Sequence, residues 1–207
     1  MTTPSSQWLL ALLPVALLVL QASLNVPQLV KLFRREHGGV PLAGEALTLL
    51  GGLGWLALSL SVGDGAMALS SLLTMAGFGP STWMLVRAGI PWRTVAGLVV
   101  VVGAGTGAAW LVAGTAGLSA ALLVLAVLQY GAYLRAGLRC TDWTGFSPSA
   151  GVMRVLFGIG WAVHAVAAGN TTVLVWALLT MVTFSATFAR ATVWRRRNVA
   201  APVLVAA

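Results

Sequence analysis

Apolar residues run along this chain in seven blocks separated by short polar breaks, roughly 8–30, 41–62, 66–86, 93–113, 118–136, 149–168 and 171–191. Each block is close to the length of about 20 residues that a helix needs to cross a bilayer. Inside the blocks the sparse polar residues recur three and four apart, the spacing of a single helix face. Block one carries Gln21, Asn25 and Gln28; block two carries Glu45, Thr48, Gly52, Trp55 and Ser59. Block six matches the latter with Gly151, Arg154, Gly158, Trp161 and Ala165. Block three gives Ser70, Thr74, Phe78 and Ser81, and block seven gives Trp176, Thr180, Phe184 and Thr187. An unpaired polar group in hydrocarbon is costly, so these stripes are expected to turn away from lipid. Two readings are open: a partly hydrated central passage, or Ser and Thr bonded to their own backbone carbonyls with Trp filling space.

The stripes repeat. Gly39-Val40-Pro41 and Gly54-Trp55 return 106 residues later as Gly145-Phe146-Ser147 and Gly160-Trp161. At the same offset Gly63-Asp64 falls on Gly169-Asn170, Thr74 on Thr180, Phe78 on Phe184 and Ser81 on Thr187. The shift spans four blocks, and an even number leaves helix direction unchanged, so the halves are parallel repeats about an axis along the membrane normal. The expected architecture is an all-α integral membrane protein of seven transmembrane helices in a 3-1-3 order. Residues 1–92 form the first three-helix repeat, 93–117 an inverting linker helix, 118–192 the second repeat, and 193–207 a short basic cytoplasmic tail. The linker run from Leu98 to Val102, with Gly97, Gly103, Gly105 and Gly107, offers close-packing surface and little polar chemistry.

Composition removes the alternatives. Hydrophobic residues make up 59% of the 207 positions, charged residues 8%, and mean hydropathy is +0.94; a soluble domain carries roughly a quarter charged residues. The net charge of +8 would suit a nucleic-acid partner, but its placement points elsewhere. Threaded with the N-terminus outside, Lys31, Arg34, Arg35, Arg87, Arg93, Arg135, Arg139, Arg154, Arg190 and Arg195–Arg197 all fall at or near one surface. The opposite breaks, around Gly63-Asp64-Gly65, Gly114-Thr115 and Gly169-Asn170, carry no basic residue. This positive-inside bias predicts a multi-pass protein of the plasma membrane, N-terminus outside and C-terminus cytoplasmic, with the lipid bilayer rather than nucleic acid as its surroundings. Trp8 and Trp110 fit an outer aromatic belt, and Trp83, Trp92, Trp143 and Trp194 an inner one, whereas Trp55, Trp161 and Trp176 lie deeper. The first block lacks a preceding basic region and is too long for a typical cleaved signal peptide. The lone Cys140 excludes an intramolecular disulfide and a Cys-based metal site.

The stretch Asn25-Val26-Pro27-Gln28-Leu29-Val30-Lys31-Leu32-Phe33-Arg34 resembles the proline–glutamine motif of the PQ-loop proteins, and Gly39-Val40-Pro41 resembles the glycine-valine-serine that opens their second helix. With the 3-1-3 order, the chain is similar to the SWEET-like sugar transporters. That resemblance implies a substrate pocket bordered by Trp55 and Trp161, and proline hinges to which Pro27 and Pro41 correspond, with Pro148 one residue off register. It also implies a match of Gln129 to Gln28, which places Leu128 at the fourth proline. The family's two pocket asparagines are replaced here, where Ser70-Ser71 and Trp176-Ala177 stand.

The candidate substrate-binding residues are therefore Trp55, Trp161, Asn25, Ser70, Ser71, Thr74, Trp176 and Thr180. Trp55 and Trp161 either stack on a sugar ring from two sides or wedge between helices. Hinge or gate candidates are Pro27, Gln28, Pro41, Gln129 and Pro148, with Glu45 and Arg154 as an inner charged pair. For that pair the other reading is Glu45 resting on a helix N-terminus and Arg154 snorkelling to lipid phosphate. His164 lies off the stripe and reads as packing near the outer end. The expected function is facilitative uniport of a small neutral polar solute, foremost a sugar, with no cofactor, no metal and no enzymatic activity; self-association stays open. The alternatives are a proton-coupled carrier of an amino acid or other metabolite, for which Glu45 is the sole candidate carboxylate, and a non-transporting receptor or assembly factor.

Overall fold

A backbone surrounded by hydrocarbon must satisfy its polar groups internally, and a helix does so one turn at a time. The computed structural model describes residues 4–24, 26–34, 42–89, 91–141, 143 and 146–199, and these are almost entirely helical. The elements are α1 (Pro4–Leu24), α2 (Val26–Phe33), α3 (Leu42–Val62), α4 (Gly65–Arg87), α5 (Trp92–Arg139), α6 (Pro148–Ala168) and α7 (Thr171–Val199). Five stretches are long and apolar enough to cross a membrane: Leu12–Phe33, Ala43–Val62, Trp92–Arg139, Pro148–Ala168 and Thr171–Asn198. The 23-residue α4 is long enough, but its inward-facing Ser70, Ser71, Ser81 and Thr82 dilute its hydropathy. Large apolar side chains such as Leu111 and Val112 stand more than four-fifths exposed on the outside of the bundle. That surface suits lipid, and the chain is a multi-pass membrane protein.

The first apolar block is described as α1 and α2 on either side of residue 25, which lies outside the described residues, and one apolar span covers Leu12–Phe33. Two boundaries differ from the sequence reading. The fourth and fifth blocks form one helical element, α5, of 48 residues. It is broken at Ala113 and Gly114, where Gly114 takes a left-handed φ of 57°. Gly117 comes so close to the Ala109 carbonyl that a Cβ there would clash, so the 92–112 and 115–139 arms turn sharply at this point. Residues 200–207 lie outside the described residues, and α7 continues through the basic segment as far as Val199. There Trp194 Nε1 donates to the Thr141 carbonyl (2.9 Å) and an Arg195 N–H to the Phe146 carbonyl (2.8 Å). Trp143, expected in an interfacial belt, is instead buried against Phe146 and Ala191.

Side-chain environments recur at the 106-residue offset. Asp64 caps α4 by accepting from the Met67 N–H (2.9 Å), and Asn170 accepts from the Val173 N–H (3.1 Å) in the same way. The residues before them, Gly63 and Gly169, both take left-handed φ, 73° and 66°. A Cβ on Gly52 would meet Met75 Cγ at 2.9 Å, and one on Gly158 would meet Met181 Cγ at 2.7 Å. The missing side chains let α3 approach α4, and α6 approach α7, by the same device. Leu122 of α5 fills the notch at Gly54 of α3, and Leu17 of α1 fills the notch at Gly160 of α6. Each half thus lends a leucine to the other, and the halves interlock around one core.

Candidate functional site

The stripes read from the sequence are the inward faces of the helices. Glu45, Thr48, Ser59, Gly151, Arg154, Gly158, Trp161 and Ala165 are buried, as are Ser70, Phe78, Ser81, Thr180, Phe184 and Thr187. Gln21 is buried on α1, Pro27 is half-buried on α2, and Asn25, Pro41 and the side chain of Gln28 lie outside the described residues. The inward faces line two adjoining chambers. The tryptophan chamber, about 60 Å³ in volume, has α3 and α4 contribute Thr48, Gly51, Gly52, Trp55, Met67, Ser70, Ser71 and Thr74. α6 and α7 contribute Phe157, Trp161, Val173 and Trp176, and α5 contributes Gln129. The arginine chamber, about 40 Å³, shares Thr48, Thr74, Gln129, Phe157 and Trp176 with the first. It continues towards Gln21, Phe78, Tyr130, Arg154, Thr180 and Phe184. A water needs about 10–15 Å³ and polar partners, so both chambers can hold water.

The hydroxyls lining the chambers are bonded to their own helices as well as facing inward. Thr48 donates to the Gly44 carbonyl (2.7 Å), Ser71 to Met67 (2.8 Å), Thr74 to Ser70 (2.9 Å) and Thr180 to Trp176 (3.0 Å). The two sequence readings were not exclusive. Each hydroxyl has its proton committed and turns lone pairs towards the cavity, making the wall a set of acceptors.

Trp55 and Trp161 do not face each other across an open gap. Trp176 stands between them, its ring 5.8 Å from Trp55 and 6.5 Å from Trp161, both edge to face. Phe157 completes the cluster at 5.9 Å from Trp176 and 6.1 Å from Trp161. The chamber therefore presents one aromatic wall rather than a two-sided sandwich. The Trp161 Nε1–H is buried without an acceptor among the described residues, so that wall also presents a polar point.

At the basic end of the bundle Glu45 and Arg154 come together, Nη2 to Oε1 at 3.8 Å, with both residues at 5% exposure or less. Burial sets aside the lipid-snorkelling reading of Arg154. The pair is part of a larger network: Glu45 accepts from Ser81 Oγ (2.8 Å) and from the Tyr133 hydroxyl (3.0 Å). The guanidinium lies over the rings of Phe184, Phe78 and Tyr133 at 4.7, 5.2 and 5.8 Å, where cation–π attraction offsets part of its desolvation. Ser81, Glu45, Tyr133 and Arg154 come from α4, α3, α5 and α6, so one network ties four helices beneath the arginine chamber. At the opposite end His164 Nε2 approaches Asp64 Oδ2 at 4.0 Å, and its ring abuts Trp161. His164 thus packs near that end and also bridges α6 to the cap of α4.

Sequence reasoning missed Phe157, Tyr130 and Tyr133. The tyrosines carried a usable signal: they are the chain's only two, they share α5, and a buried phenol needs a partner. Phe157 carried none, because its repeat counterpart is Gly51. The match of Gln129 to Gln28 is also not the one the helices make. Leu17 and Leu122 fill equivalent notches, and counting along α1 from them sets Gln129 against Leu24. Gln129 reaches both chambers from that register. Pro148 occupies the first turn of α6 behind the Ser147 cap, which gives it a local role in starting the helix. Comparisons with protein-family models, characterised proteins and solved structures returned no match for this chain.

Proposed function

We propose that this protein is a facilitative carrier of a small neutral polar solute, a sugar being the first class to test, and that it works by alternating access. The observation that carries this reading is the pair of adjoining chambers walled by both halves of the chain and underlain by a buried charged network. In this reading the two arms of α5 cross the membrane separately and α1 with α2 crosses once. The order is then three helices, a linker and three helices, with the basic end cytoplasmic and the N-terminus outside at the plasma membrane. The resemblance of Asn25–Arg34 to the PQ-loop motif supports the same assignment.

Rocking of the halves would part α3 from α6 at the basic end, return Glu45 and Arg154 to water and open the arginine chamber inward. Closing desolvates both charges, a cost the network offsets with two hydroxyl donors and three aromatic faces. Uniport is favoured over proton coupling because both Glu45 oxygens already accept hydrogen bonds next to a guanidinium, which holds the carboxylate committed to the gate. The aromatic wall suits the apolar face of a solute and the acceptor wall its hydroxyl groups.

Purified protein in proteoliposomes should show saturable flux of at least one of labelled glucose, sucrose and glycerol, indifferent to a pH gradient, and Trp55→Ala or Trp161→Ala should abolish it. Flux that requires the gradient would replace uniport with proton coupling. No flux of any of the three would overturn the carrier reading for this solute class.

A further inference from the structure

Gln21 of α1 is 2% exposed, and its Oε1 has no hydrogen-bond donor among the described residues. An amide oxygen left in that state is expensive, and this one lines the arginine chamber. The surrounding hydroxyls do not supply the missing donor. Thr48, Thr74 and Thr180 give their protons to the carbonyls of Gly44, Ser70 and Trp176. The Tyr130 hydroxyl meets Thr180 Oγ1, and with the Thr180 proton committed, Tyr130 is the donor in that contact. The repeat offers no equivalent of Gln21, because the register fixed by Leu17 and Leu122 sets Ala126 opposite it.

Arg154 lines the same chamber and supplies the opposite chemistry, since a guanidinium carries only donors. A group that satisfies both must donate towards Gln21 and accept from Arg154. A hydroxyl does both. An ether or a carboxylate only accepts, and an ammonium only donates while being repelled by the guanidinium. We propose that the arginine chamber is a second solute station, distinct from the tryptophan chamber, that selects neutral hydroxylated solutes, with Gln21 as the acceptor of a solute hydroxyl. The proposal rests on the carrier reading and adds to it a station and a chemical requirement.

The test is glucose and glycerol flux in proteoliposomes carrying Gln21→Leu or Gln21→Met. Either variant should raise the half-saturating concentration about tenfold, the value of one buried hydrogen bond. Its melting temperature should match or exceed wild type, because an unsatisfied oxygen has been removed. Unchanged half-saturation in a folded variant would make Gln21 a solvation site only and overturn the station. Should neither variant fold, the unaltered protein decides: glycerol should compete with glucose flux, and its trimethyl ether, with the same oxygens but no donor, should not. Equal competition by the two would also overturn the proposal. These outcomes leave the carrier reading standing, whereas a wild type that moves none of glucose, sucrose and glycerol removes both.

Discussion

The two walls of the tryptophan chamber occupy equivalent positions in the two halves of the chain and carry opposite chemistry. On the α3/α4 side stand Thr48, Gly51, Ser70 and Ser71; of the matching places on the α6/α7 side, Phe157 and Trp176 line this chamber, Arg154 lines the arginine chamber and Ala177 lines neither. The backbone devices were kept: the Asp64 and Asn170 caps, the Gly63 and Gly169 turns and the Gly52 and Gly158 notches. The lining was not. A symmetric pair of walls would bind a symmetric object, whereas an acceptor wall facing an aromatic wall orients a solute with one polar and one apolar side. The charged pair follows the same rule, because Glu45 answers to Gly151 and Arg154 to Thr48, so each half lends one charge that the other lacks.

The largest expected effect breaks that charge complementarity. Glu45→Ala removes the carboxylate beside the buried Arg154, takes the acceptor from Tyr133 and leaves Ser81 with the Phe78 carbonyl alone. It should cost about 3–5 kcal/mol in thermal unfolding of the detergent-solubilised protein. Exchanging the two charges should not restore stability, because Ser81 and Tyr133 donate to position 45 and an arginine there accepts from neither. Recovery on exchange would show the network to be a simple pair.

Making the walls alike is the next test. Trp176→Ser copies Ser70 onto the second half and removes the ring that joins Trp55 to Trp161. The expected cost is about 2–3 kcal/mol, below the full penalty for a completely buried ring. The chamber should widen, and sucrose flux should rise relative to glycerol flux. An unchanged flux ratio would mean that Trp176 does not set the width of the path.

The shared scaffold is tested by a matched pair, Gly52→Ala and Gly158→Ala. A Cβ at either position meets a methionine Cγ, so each should lose about 1–2 kcal/mol and the two losses should agree. Unequal losses would show that the halves no longer pack by the same contact. The smallest effect belongs to Asp64→Asn, which gives α4 the cap that α7 already has. It removes only the half-exposed approach of His164, and stability should change by less than about 0.5 kcal/mol.

Much of this was legible in the chain. The three-and-four spacing located the inward faces because a polar side chain in hydrocarbon has nowhere else to go, and the repeat located the caps and notches because they are backbone devices. The same logic brought Glu45 and Arg154 to one place. It failed where tertiary packing decides. Trp176 could be placed on an inward face, but nothing in spacing says that its ring reaches both Trp55 and Trp161. Trp143 resembles a belt tryptophan in sequence and is buried only because Phe146 and Ala191 close over it. The break at Ala113–Gly114 without an intervening coil segment, and the α7 helix continuing through Arg195–Arg197, are set by local backbone and by the Thr141 and Phe146 carbonyls, not by hydropathy.

A passage that opens alternately between unlike walls makes a direct prediction at Ser71, which is buried and lines the tryptophan chamber. With Cys140 replaced by serine, Ser71→Cys should react with a charged, membrane-impermeant thiol reagent added to either side of sealed vesicles, and a transported solute should slow both reactions. A folded, membrane-inserted protein whose Cys at position 71 reacts from neither side would mean that the chambers are closed packing defects and that the passage does not exist.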